Sequence, residues 1–131
     1  MSAKFHDLHD ETNPDNGAKL FDASGVRALL TRNAKNPPFV VELISDRQTK
    51  LMIGLGPETS SAQFCRADDE PPYLVANLES EKMRSGVTDF IIGNEPTEIE
   101  LRLCIPFATL LDVAAYFVET GQRSPIVSWE I

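Results

Sequence analysis

Histidine is scarce in this sequence, and its scarcity argues against most nucleophilic chemistry. The 131 residues include two histidines, His6 and His9, both within the first nine positions. A serine or cysteine nucleophile usually needs a histidine as its base, so hydrolytic triads are disfavoured. Acids are plentiful, but they stand in predicted turns and on a solvent-facing strand row, without the apolar neighbours that tune acid–base catalysts. We therefore predict that the protein is not an enzyme.

The run HDLHDE near the start of the chain is the one concentration of metal-ligand residue types. A spacing of three would place both imidazoles on one face of a helix. Neither a cysteine nor a third histidine completes the set, and residues 1–20 are polar with little apolar periodicity, which favours a flexible lead-in. We predict a solvated segment, with no metal ion and no cofactor. The potential ligands are His6, Asp7, His9, Asp10 and Glu11.

Cysteines and long apolar runs are also scarce. Cys65 and Cys104 are distant in sequence and flanked by apolar residues, which favours buried, reduced thiols of a cytoplasmic protein over a disulfide. No window has the roughly 20 apolar residues of a membrane span, and the first residues lack the apolar core of a secretory signal. The composition therefore predicts a cytoplasmic protein with no membrane partner.

Basic residues are few where acids are most dense. The net charge is −8, and residues 68–100 contain nine acids against two bases, whereas the rest of the chain is nearly balanced. Such a segment repels nucleic acid and anionic membranes and attracts a basic partner. An acidic surface that merely keeps the protein soluble is the alternative, and on charge alone it is the better explanation.

Periodic patterns predict an α+β fold. A short helix is expected from Asp22 or Ser24 to Arg32, since either residue is a good N-cap. Short strands follow at residues 39–44, 51–55, 60–66, 73–78, 87–92 and 97–103, joined by brief turns that imply antiparallel pairing. We expect an antiparallel meander of five to seven strands with both helices packed on it, in one domain over residues 21–131.

The C-terminal fifth of the chain carries the clearest pattern. Apolar residues at helical spacing form one stripe, and Pro106 suits the first position of the helix. Gly121 is placed to end the helix, and Pro125 prevents its resumption. A short strand follows in which Val127, Trp129 and Ile131 face the core, and an interface anchor is the less favoured alternative for Trp129. The stripe comprises Phe107, Leu110, Leu111, Ala114, Phe117 and Val118.

This C-terminal unit resembles a bacterial family of immunity proteins, the first Imm family, whose members are antidotes to polymorphic toxins. The specific part is the helix followed by GQRSP (residues 121–125) and VSWE (residues 127–130). Weaker similarity lies in LMIGLG from Leu51, AQF from Ala62, PPY from Pro71, the strand from Phe90 to Gly93 and EPTE from Glu95. The likeness covers roughly residues 50–131.

The resemblance implies an inert protein that binds a cognate toxin, notably a deaminase or nuclease, and occludes its active site. Such a toxin needs a basic groove for nucleic acid, so a competing antidote would present carboxylates. A non-catalytic secretion chaperone or adaptor for a basic partner is the alternative, and the oligomeric state is open, a homodimer included. On charge, the candidate contact residues are Asp68, Asp69, Glu70, Glu79, Glu81, Glu98 and Glu100.

Overall fold

Two helices cover one face of an antiparallel sheet, and a β-hairpin lies against the other face. The computed structural model describes residues 1–78 and 84–131, and within them the sheet has ten strands, more than the five to seven predicted. The α+β class is as predicted. In chain order the elements are β1 (Ala3–Asp7), β2 (Lys19–Leu20), α1 (Ala23–Asn33), β3 (Phe39–Ser45), β4 (Thr49–Leu55), β5 (Thr59–Arg66), β6 (Leu74–Asn77), β7 (Val87–Ile92), β8 (Glu95–Glu100), a 3₁₀ turn (Leu101–Leu103), β9 (Ile105–Pro106), α2 (Phe107–Thr120) and β10 (Ser128–Glu130).

Local capping residues set the ends of both helices. Asp22 is the N-cap of α1, and its side chain accepts a hydrogen bond of 2.7 Å from the Gly25 amide. Pro106 lies just before α2 and not at its first helical position as predicted. Gly121 ends α2 in the left-handed conformation, with φ of 72°, where a residue without Cβ avoids strain. Neither helix in the described residues is long and apolar enough to cross a membrane.

The predicted meander is present in β3 to β6 but does not continue through β7. The sheet order is β10-β6-β5-β4-β3-β1-β2, with consecutive antiparallel pairing from β3 to β6. Strand β7 meets β3 in parallel, at Phe39 and Ile91, and forms the hairpin with β8. Strand β10 pairs with β6 at the edge of the sheet, a position that the sequence does not decide.

The expectation of a flexible lead-in over residues 1–20 is wrong for its first strand. Strand β1 pairs with β3 at five positions, and Phe5 is fully buried in the core. Asp7, also buried, accepts hydrogen bonds from the amides of His9 and Asp10 and from the side chain of Asn13, which orders the following loop. Two apolar residues make too short a pattern to predict a strand.

The strand predicted at residues 97–103 is shifted toward the N-terminus. Strand β8 begins at Glu95 and ends at Glu100, and Leu101–Leu103 forms the 3₁₀ turn, in which the Cys104 amide donates to the Leu101 carbonyl. Leu101 and Leu103 continue the alternating pattern of β8 in sequence, but the chain leaves the strand there and leads to β9, which pairs with β5.

The final strand is also less buried than predicted. Val127 is buried, but Ile131 is 96% exposed and Trp129 is half-buried at the sheet edge. The indole of Trp129 contacts the Phe64 ring at a centroid distance of 6.3 Å, and its Nε1 donates a hydrogen bond of 2.8 Å to the Ser124 carbonyl.

We expect Trp129→Ala to lower the free energy of unfolding by less than the roughly 3–5 kcal/mol typical of fully buried aromatic residues. Trp129→Phe keeps a ring beside Phe64 and loses the hydrogen bond, so it should cost about 1 kcal/mol. Urea denaturation followed by far-UV circular dichroism would measure both variants. A loss above 5 kcal/mol for the alanine variant would contradict a half-buried side chain.

The main core lies between the helices and the sheet. Alternate residues of β3 and β4 face it, as predicted, and meet the apolar faces of α1 and α2. These strand residues are Phe39, Val41, Leu43, Leu51, Ile53 and Leu55.

The opposite side of the sheet, which we call the hairpin face, has a small core of its own. It is formed by Val40, Phe90 and Cys104, with Met52 and Ile99 packed against it. A Cβ placed on Gly54 would lie 2.5 Å from the Phe90 ring, so the hairpin packs directly on bare backbone there. The residues of the central strands that point to the hairpin face are Val40, Glu42, Lys50, Met52, Gly54, Ser61, Gln63 and Cys65.

Both cysteines are free and buried, and both lie on the hairpin face. Burial raises the pKa of Cys104 to about 11 and also raises the pKa of Cys65. We expect neither thiol to react with Ellman's reagent at pH 8 in the folded protein, because the thiolate is the reactive form. Both should react in guanidinium chloride, and rapid labelling of the folded protein would contradict this burial.

Candidate functional site

A buried charge network crosses the hairpin face. The Lys50 ammonium, 6% exposed, lies 3.4 Å from a carboxylate oxygen of Glu42, which is 11% exposed, and it also contacts Asp69. His6, on β1, lies 3.2 Å from the other Glu42 oxygen. Burial alone would lower the pKa of Lys50, but the hydrogen bond that its ammonium donates to Asp69 and the charge of Glu42 raise the pKa overall. The network therefore keeps Lys50 charged.

The acidic turn, Asp68, Asp69 and Glu70, follows β5 and is held in place by its neighbours. Asp68 pairs with Arg66 at 2.8 Å and accepts a hydrogen bond from the Glu70 amide. Asp69 has a left-handed backbone, with φ of 66°, and its carbonyl accepts a hydrogen bond from the Tyr73 hydroxyl. Because Asp69 also contacts Lys50, the turn is anchored to the hairpin face.

Strand β8 brings two more predicted residues to the same face. Glu98 and Glu100 border a hollow of about 270 Å³ between β8 and the central strands. Arg102 pairs with Glu100 at 2.8 Å and with Glu130 at 2.9 Å, and these contacts, first the hydrogen bond that Arg102 donates to Glu130, raise the pKa of Arg102. We call this hollow the β8 groove; its lining includes Ser61, Gln63, Val75, Glu98, Ile99 and Leu103.

The candidate carboxylates thus differ in how much charge they leave for a partner. Asp69 on the acidic turn, Glu98 and Glu100 share the hairpin face, whereas Glu79 and Glu81 lie outside the described residues. Basic side chains pair with Asp68, Asp69 and Glu100. In residues 1–78 and 84–131, neither Glu70 nor Glu98 forms an ion pair, and both are exposed. Of the described candidate residues, Glu70 and Glu98 are therefore the two whose charge no ion pair balances.

The uncharged lining of the β8 groove was not predicted from sequence. Ser61 and Gln63 stand on β5, where alternation leaves open which set of side chains faces inward. Register with β4 shows that they point to the hairpin face, beside Ile99. The sequence does not show where the β7–β8 hairpin packs, so it gives no signal that Ile99 lies beside Ser61 and Gln63.

The two histidines have separate partners. His6 contacts Glu42, whereas His9 donates from Nδ1 to the Gly93 carbonyl in the hairpin turn. Among the residues that the structure describes, no group of three or more histidine, cysteine, aspartate or glutamate side chains is placed to hold a metal ion. The geometry of the described residues therefore favours binding of a partner through the exposed carboxylates and the β8 groove.

Comparison with known protein families gives a match over most of the chain. The family model described as immunity protein Imm1 matches residues 14–130, from the loop before β2 to the end of β10. The match includes the acidic turn, strand β8 and the C-terminal helix and strand. No curated protein matches the chain.

Proposed function

The chain belongs to the Imm1 family of immunity proteins, and on that premise we propose that it binds a cognate toxin that acts on nucleic acid and occludes the toxin's active site. Immunity proteins are generally not catalysts, so protection comes from binding. We place this binding in the cytoplasm of the toxin-producing cell. The family match over residues 14–130 is the observation that carries the proposal.

The charge distribution supports a basic partner. Exposed Glu70 and Glu98 leave their charge unbalanced within the described chain, and Asp68 and Glu100 stand beside them at the surface. A toxin that binds nucleic acid needs cationic residues around its active site, and those residues attract a carboxylate surface of matching shape. The antidote would then compete with the phosphate backbone for the same groove.

The test is co-expression with the product of the neighbouring gene as the candidate toxin. We expect the protein to restore growth of cells that produce the toxin, and the purified pair to form a stable complex. Growth arrest despite production of the folded protein would overturn the proposal. A complex that forms without rescue would favour a chaperone or adaptor.

We expect the double variant Asp68→Lys/Glu70→Lys to slow association with the toxin by about tenfold or more at low salt, because charge steering accelerates encounter. Asp69 is left unchanged because its carboxylate contacts the buried Lys50. Stopped-flow measurements at several salt concentrations would also show a weaker salt dependence.

The matched control for this variant is Glu11→Lys/Glu58→Lys, which makes the same charge change at two exposed glutamates away from the acidic turn. Equal slowing by both double variants would mean that net charge matters and the turn does not.

A further inference from the structure

We propose that the β8 groove receives an arginine side chain of the toxin. This inference rests on the proposed function and names the group that the hairpin face recognises. It is drawn from the size of the groove, its unmatched polar groups and its charge.

The groove has the dimensions of a side-chain pocket. Its hollow of about 270 Å³ adjoins a second of about 270 Å³, and the two share Ser61, Gln63, Glu98 and Ile99. Pockets for whole small-molecule ligands measure about 300–1,000 Å³. Each hollow alone is slightly below that range and is large enough for one long side chain.

The floor of the groove holds hydrogen-bonding groups with unused capacity. The Ser61 hydroxyl and the Gln63 amide have no hydrogen-bond partner within the described chain. Ser61 is itself 6% exposed and lines both hollows. Buried polar groups are normally satisfied, so this floor is suited to a ligand rich in hydrogen-bond donors.

Charge and shape select arginine. Glu98 borders both hollows without an ion pair among the described residues, and Glu100 shares its charge with Arg102. A guanidinium has five donors in a planar fork, enough to meet a carboxylate, an amide oxygen and a hydroxyl together. A lysine ammonium has three donors, all on one nitrogen atom, and lacks this planar fork.

The walls suit the stem of such a side chain. Val75, Ile99 and Leu103 line the groove with apolar surface that is half-buried. The methylene groups of an arginine would cover this surface while the charged end remains at Glu98. One residue type thus satisfies the apolar walls, the polar floor and the carboxylate.

The first test needs no toxin. N-acetyl-arginine amide is titrated into the protein while the methyl resonances of Val75, Ile99 and Leu103 are followed by NMR. We expect these methyl resonances to shift. The affinity measured from the shifts should be at least about fivefold lower with the uncharged citrulline analogue and in Glu98→Gln, since hydrogen bonds to charged groups are the stronger ones. Glu95→Gln, an exposed residue of the same strand outside the groove lining, is the control. No shift, or equal shifts with both analogues, would overturn the inference.

The second test uses the complex. Glu98→Arg should raise the toxin dissociation constant about 30-fold or more, whereas Glu95→Arg should change it little. Thermal melts confirm that both variants are folded. Equal effects of the two variants on a toxin that wild type binds would overturn the groove and leave the proposed function standing. If wild type fails to bind, the proposed function falls and the arginine titration alone decides the groove.

Discussion

Replacing Lys50 with methionine is expected to lower the free energy of unfolding by about 3–5 kcal/mol, the range seen when one member of a buried ion pair is removed. Lys50 is enclosed between Glu42 and Asp69, and methionine would leave the Glu42 carboxylate buried with His6 as its described partner. Urea denaturation at neutral pH would measure the loss.

The double variant Glu42→Gln/Lys50→Met is the matched comparison. It removes both buried charges, so the carboxylate is no longer left without its ammonium, and we expect a smaller loss than in the single variant. If single and double variants are equally unstable, packing of the lysine stem and not its charge accounts for the effect.

The second large effect is expected for Phe90→Ala, at about 3–5 kcal/mol. Phe90 is fully buried and packs on Gly54, in a cluster with Val40 and Cys104. The small size of this cluster means that losing the ring should release the β7–β8 hairpin before the main core unfolds. Toxin binding should weaken as well, because the hairpin carries Glu98 and Glu100.

Hydrogen exchange would distinguish hairpin release from general destabilisation. In Phe90→Ala we expect amides of β7 and β8 to exchange faster than those of β4. Phe117→Ala is the control, since Phe117 is buried against the helical face of the sheet and its loss should affect all strands alike. Uniform acceleration in both variants would contradict a separately stabilised hairpin.

The sequence predicted the elements whose signals are local. Asp22 and Gly121 mark helix ends through backbone geometry that neighbouring residues set, and alternation in β3 and β4 assigns their core faces correctly. The acidic segment was visible from charge alone, although its contact role remains a prediction.

What the sequence did not predict depends on long-range pairing. Strand β1 is held by β3, some forty residues away along the chain, and a five-residue strand has too little pattern of its own. The parallel contact of β7 with β3 and the groove beneath β8 depend on where the β7–β8 hairpin packs on the sheet, which no local pattern shows. The pairing of Asp69 with Lys50 follows from the same three-dimensional placement.

The bare backbone at Gly54 supports the hairpin that carries Glu98 and Glu100. A Cβ introduced at Gly54 would clash with the Ser61 hydroxyl and lie 2.5 Å from the Phe90 ring, so the contact between β5 and the hairpin would have to readjust. Under the proposed function, a substitution at Gly54 would change the depth and spacing of the β8 groove while Glu98 and Glu100 stay the same. Divergence in toxin preference should be sought at such supporting positions as well as among the exposed acids.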